Sequence, residues 1–157
     1  MTTVSVPNCD RLARTVAVLS DPGLIRLITE IDDHGPVPAN GFARTFLDLS
    51  RHQIRHARDT ARDLGLIHSV HQTYRLTDRG TDLADLYDQA ARWARAHTHP
   101  ARDSSFVTRV RATLDHLTRP GHHDETAESG TGHLLDAVLR WTAVPPGACH
   151  RILPEAA

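Results

Sequence analysis

Leu49-Ser50-Arg51-His52-Gln53-Ile54-Arg55-His56-Ala57-Arg58-Asp59-Thr60-Ala61-Arg62-Asp63-Leu64-Gly65-Leu66-Ile67 reads as one amphipathic helix with its own start and stop. Ser50 is a favourable N-cap because its hydroxyl accepts from a free amide of the first turn, and Gly65 suits the left-handed residue that closes a helix. Ile54, Ala57, Ala61 and Leu64 recur at helical spacing, so one stripe turns inward. At about 100° per residue the opposite side carries His52, Arg55, His56, Asp59 and Arg62, flanked by Arg51 and Arg58. Such side chains reach phosphates and base edges.

Downstream, Leu66 to Val70 and Thr73 to Leu76 are two short β-rich runs divided by a polar tip at His71-Gln72, the pattern of a small hairpin. Upstream, Leu12, Val16 and Leu19 mark an amphipathic helix ending before Asp21-Pro22-Gly23. Asp21 caps a second helix, Pro22 suits its first turn, and Leu24, Leu27, Ile28 and Ile31 form its stripe up to the break at Gly35-Pro36-Val37-Pro38. Phe42, Ala43, Phe46 and Leu47 give a short helix leading into the basic one. A helix with a basic outer face, entered by a turn and followed at once by a hairpin, predicts a winged helix-turn-helix. The expected fold is therefore mainly α, with a small β-hairpin wing and additional C-terminal helices.

Those additional helices follow from three more patterns. Thr77 to His97 keeps Leu83, Leu86, Tyr87, Ala90 and Ala94 on one side; Ser104 to Leu117 carries Val107, Val110, Leu114 and Leu117; Gly132 to Ala143 carries Leu134, Leu135, Val138 and Leu139. Residues 119–131 lack an apolar anchor and read as a mobile linker. The predicted division is a DNA-binding domain with dimerisation helices over 9–97 and a helical extension over 102–157.

A chain of 157 residues fits one domain, or one with an extension, and its 39% hydrophobic content is ordinary for a globular protein. Aromatic residues are only 4%, so packing rests on Leu, Ala and Val. The net charge of −1 argues against indiscriminate polyanion binding. Locally the balance differs: Ser50 to Arg62 holds four arginines against one aspartate, and pairing two copies doubles that strip. All 18 basic residues are arginine, the better side chain for forked hydrogen bonds to guanine or phosphate. No run reaches the roughly 18 apolar residues of a membrane helix, and no basic-then-apolar leader opens the chain, so a cytoplasmic location is expected. Cys9 and Cys149 form no CxxC pair and read as free thiols.

The order of parts resembles the winged-helix transcriptional regulators of the HxlR type and, more loosely, the MarR type. The resemblance rests on a cysteine-led first helix from Cys9 and on Leu49-Ser50 through Gly65-Leu66-Ile67. It rests further on Tyr74-Arg75-Leu76-Thr77-Asp78-Arg79-Gly80 opening a helix that carries Trp93. It covers roughly residues 9 to 97 and implies a promoter-binding homodimer that uses its terminal helices for pairing. It also implies a redox-sensing role for Cys9, against which stands the plainer reading of a small core residue.

The expected partner is double-stranded DNA. His52, Arg55 and His56 are placed to read bases, and Arg51, Arg58 and Arg62 to hold phosphates. Asp59 is placed to orient Arg55 or Arg62, or to accept from cytosine, and Gln72, Thr73 and Arg75 of the wing are placed to touch phosphate or the minor groove. The competing readings are a solvated surface helix and a winged-helix scaffold used for protein interaction or dimerisation without DNA. The helices after Arg102 are expected to enlarge the dimer interface, enclose a small-molecule effector pocket or meet a partner regulator.

Neither a cofactor nor a metal is expected. His122, His123, Asp124, His133, Cys149 and His150 match no reliable zinc spacing. An enzyme is not expected either, since GxSxG, a phosphate-binding glycine loop and HExxH are all missing.

Overall fold

Asp21 stops one helix and starts the next. In the computed structural model, which describes residues 6–119 and 130–143, α1 (Val6–Leu19) ends just before it and α2 (Pro22–His34) begins just after. The Asp21 carboxylate accepts from the Leu24 amide at 2.8 Å, satisfying one of the free donors of the first turn. The expected stripe of α2 is buried, and so are Gly23 and Ile25, because α2 lies between α4, α5, α6 and the sheet rather than at an edge.

The segment read as a plain break after α2 contains a strand. β1 (Val37–Pro38) pairs antiparallel with β3 (Thr73–Leu76), whose other side pairs with β2 (Ile67–Val70), giving the order β1-β3-β2. Val37 lies opposite Tyr74, and the Ala39 amide donates to the Gln72 carbonyl at 2.8 Å. Between β1 and β2 come α3 (Phe42–Thr45) and α4 (Arg51–Asp63). Phe42 packs edge-on against Tyr74 at 5.3 Å between ring centroids, fastening α3 to the sheet. Phe46 and Leu47, read as part of this short helix, lie beyond it: the helix stops at Thr45, the backbone of Phe46 (φ −109, ψ 67) leaves the helical path, and Leu47 is 85% exposed.

The rest of the described chain is α5 (Asp78–Ala96), α6 (Phe106–Thr118) and α7 (Gly130–Ala143), so the architecture is mainly helical with a small three-stranded antiparallel sheet. α6 and α7 pack on α5, and Val110, Leu114, Leu134 and Val138 join Leu24, Ile28, Leu66 and Leu83 in one continuous core. α7 starts earlier than its pattern suggests. Gly130 and Thr131 belong to the helix instead of the expected linker, with Thr131 buried and accepting from the Trp93 indole at 2.9 Å. Its inward stripe is Thr131, Leu134, Val138 and Trp141, whereas Leu139 faces solvent. At the other end of the proposed linker Arg119 caps α6 and pairs with Asp115 at 2.8 Å, while residues 120–129, with His122, His123 and Asp124, and Cys149 and His150 beyond α7, lie outside the described residues.

One charged side chain is buried where the sequence suggested a surface. The Arg79 guanidinium sits 4.0 Å from the Trp141 ring centroid, Arg79 Nη1 donates to the Trp141 carbonyl, and the Trp141 indole donates to the Arg79 carbonyl, both at 3.3 Å. The start of α5 and the end of α7 are thereby clamped together.

Tyr87, fully buried on α5, donates its hydroxyl to the Leu19 carbonyl at 2.8 Å and so satisfies an acceptor at the end of α1. Burial, reinforced by the nearby Asp21 charge, pushes the phenol well above its ordinary pKa of 10.0. Since the folded value exceeds the unfolded one, this contribution is complete below about pH 10 and is lost as the pH climbs further. Tyr87→Phe is expected to cost about 1–2 kcal/mol in urea denaturation, because the Leu19 carbonyl is left buried without its donor. An unchanged midpoint would mean that water replaces the hydroxyl.

Candidate nucleic-acid interface

Three local devices fix α4. Ser50 and Gln53 form a reciprocal cap: Ser50 Oγ accepts from the Gln53 amide at 3.2 Å, and Gln53 Oε1 accepts from the Ser50 amide at 2.9 Å. Asp48, in the turn before the cap, accepts from Arg26 Nε at 3.1 Å, tying the turn to α2. That bond is the main reason the Asp48 carboxyl is held below its usual range and the Arg26 guanidinium above its own. Finally, Ala57 and Ala61 are buried against α2, where a Cβ placed on Gly23 would lie 3.2 Å from that of Ala57. Small residues on both sides let the two backbones approach closely.

With that side committed to the core, Arg51, His52, Arg55, His56, Asp59 and Arg62 are all exposed. Arg58 differs from its neighbours: it is half-buried, and its Nε and Nη2 each lie 3.4 Å from Asp59 Oδ1. Asp59 therefore engages Arg58, not Arg55 or Arg62, because the long Arg58 side chain folds along the helix surface to meet it. Arg51, Arg55 and Arg62 make no ion pair among the described residues. Three unneutralised guanidinium groups thus share one side of a rigid helix.

The hairpin β2–β3 turns through two residues, His71 and Gln72, both with positive φ (48° and 59°). This left-handed geometry matches the twist of the flanking strands but costs a non-glycine residue about 1 kcal/mol. Gln72 and Arg75 are exposed, while Thr73 is half-buried opposite Val70 and Pro38. Two further groups belong to this surface: His71 at the exposed tip and His68, which lies directly across from Arg75. A two-residue turn at 71–72 forces the pairs 70–73 and 68–75, so the spacing alone carries the signal for His68. Arg44, exposed on α3 and without an ion pair among the described residues, is a further basic group the sequence reading passed over.

No protein-family model, curated protein or solved structure matches this chain. The chemistry of the surface must therefore be read from its own groups. The forked donors on α4 and the imidazole, amide and guanidinium groups on the hairpin can all donate hydrogen bonds, which suits an acceptor-rich, anionic partner. Cys9 lies in the backbone of α1 but its side chain is outside the described residues, and His133 is exposed on α7. Among the described residues no three His, Cys, Asp or Glu side chains gather as metal ligands, and no helix is long and apolar enough to cross a membrane.

Proposed function

We propose that this chain is a winged helix-turn-helix transcriptional regulator of the HxlR/MarR type, binding promoter DNA sequence-specifically as a homodimer in the cytoplasm. The observation that carries the reading is the division of α4: alanines lock one side onto α2, while Arg51, Arg55 and Arg62 on the other stay unpaired and open to solvent with α6 and α7 in place. α4 enters the major groove, with Arg55, His52 and His56 toward base edges and Arg51, Arg58 and Arg62 toward phosphates. The hairpin meets the flanking backbone through Gln72, Thr73 and Arg75. Two copies present two such helices about one DNA turn apart, which offsets the small charge available to each. No catalytic role is assigned, and α6 and α7 are the elements through which an effector or partner regulator would act.

The test is fluorescence anisotropy with a duplex from the gene's own upstream region and a scrambled control, between 50 and 200 mM salt. Expected are preference for the native duplex and a linear fall of log affinity with log salt, with a slope of about −0.9 per phosphate contacted. Equal weak binding to both duplexes, or none at 50 mM salt, would sink the reading in favour of a protein-interaction module.

A further inference from the structure

At the far end of α5 from the hairpin, Arg95 on the last turn, Arg102 in the connection to α6 and Arg109 on α6 line one cavity of about 380 Å³, together with Thr98. None of the three arginines makes an ion pair among the described residues, although Asp103 is the immediate neighbour of Arg102. Nor do the carbonyls that end α5 stand in for a carboxylate. Those of Trp93, Ala94 and Arg95 already accept from the amides of His97, His99 and Thr98, respectively. Arg109 is pinned through Nη1 to the Ser104 carbonyl, and its Nε is closed off from solvent with no acceptor among the described residues. Arg95 and Arg102 are exposed and Arg109 is half-buried, so water carries part of their charge, yet the cavity gathers three guanidinium groups with no carboxylate partner among the described residues, and one of them keeps a buried donor without an acceptor there.

We infer that this cavity binds a small, multiply charged anion of the phosphate-ester or pyrophosphate class. A carboxylate is planar and is satisfied by a single guanidinium fork, whereas a phosphoryl group presents three oxygens to donors arriving from three directions. Arg95, Arg102 and Arg109 come from a helix end, a loop and a second helix, three separate backbone origins for donors to such a group. The 19 residues of α5 hold the cavity about 28 Å from the hairpin, so it lies apart from the proposed DNA-reading surface.

Isothermal titration of the full chain with inorganic pyrophosphate, at fixed ionic strength and without DNA, tests the inference. Expected is saturable one-to-one binding, at least tenfold tighter than for citrate. Arg102→Gln, an exposed loop change with little bearing on folding, should weaken it about tenfold, as loss of one charge-assisted pair implies. Arg95→Gln should act likewise, and Arg92→Gln, on α5 but outside the lining, should not. The inference is overturned by absence of saturation, by citrate binding as well as pyrophosphate, or by Arg102→Gln and Arg95→Gln binding like the wild type. The last result would also place any bound pyrophosphate on another basic surface. Because DNA is not present, failure here leaves the promoter-binding reading standing.

Discussion

Gly80→Ala is expected to destabilise the protein by roughly 3 kcal/mol or more, the range reached when added atoms force a packed backbone to move. A Cβ at position 80 would fall deep inside van der Waals contact with the Leu66 carbonyl oxygen and 3.2 Å from the Leu76 side chain. The carbonyl has nowhere to go: it accepts from the Thr77 amide at 2.9 Å, and the Leu66 amide donates to Ala61 at 2.8 Å. Thr77 adds to the knot, with its hydroxyl donating to the Gly65 carbonyl at 2.6 Å and accepting from the Gly80 amide at 3.1 Å. Against this stands the better helix propensity of alanine, about 1 kcal/mol, which is the smaller quantity. Urea denaturation followed by circular dichroism decides the matter. A midpoint equal to or above that of the wild type would show that α5 can draw away from the end of α4 without penalty.

The largest functional effect is expected from Arg51, Arg55 and Arg62 changed together to alanine. These residues are exposed and make no ion pair among the described residues, so their removal should leave the melting temperature nearly unchanged. At about 1–2 kcal/mol for each contact, duplex affinity should fall roughly 10²–10⁴-fold. The single changes should separate by kind. Arg55→Ala should relax discrimination at one base position, whereas Arg51→Ala and Arg62→Ala should weaken native and scrambled duplexes alike and flatten the salt slope by about 1 each. Binding by Arg55→Ala as tight and as selective as the wild type would remove the assignment of that residue to base reading.

The parts of the fold that could be read from the sequence are those whose cause is local. Ser50 and Asp21 act on amides three residues away, and each caps its helix; Thr77, read as the first residue of its helical run, caps it in the same way. The stripe Ile54, Ala57, Ala61 and Leu64 lies within a single helix and already defines which side is left over. What escaped was settled by distant partners. β1 is two residues long, too short for an alternation to register, and exists because Tyr74 and Thr73 lie opposite. Arg79 looks like a surface residue until Trp141, 62 positions later, arrives over it. On α7 the leucine-rich choice of stripe included Leu139, but the packing surface of α5 selected Thr131 and Trp141. The basic surface was largely visible because solvent exposure on a helix follows from its period. The engagement of Asp59 by Arg58 was not, since it depends on how one flexible side chain lies.

At the outer bend of the hairpin, the contact that ties residue 72 to the body runs through its main-chain carbonyl, held by the Ala39 amide. Strand alignment there is consequently indifferent to which side chains occupy positions 71 and 72, provided they tolerate a left-handed backbone. Asparagine and glycine do so more readily than the histidine and glutamine present. The hairpin is thus a finger of set length with an exchangeable nail: new residues at its extremity would alter what is touched while the reach stays the same.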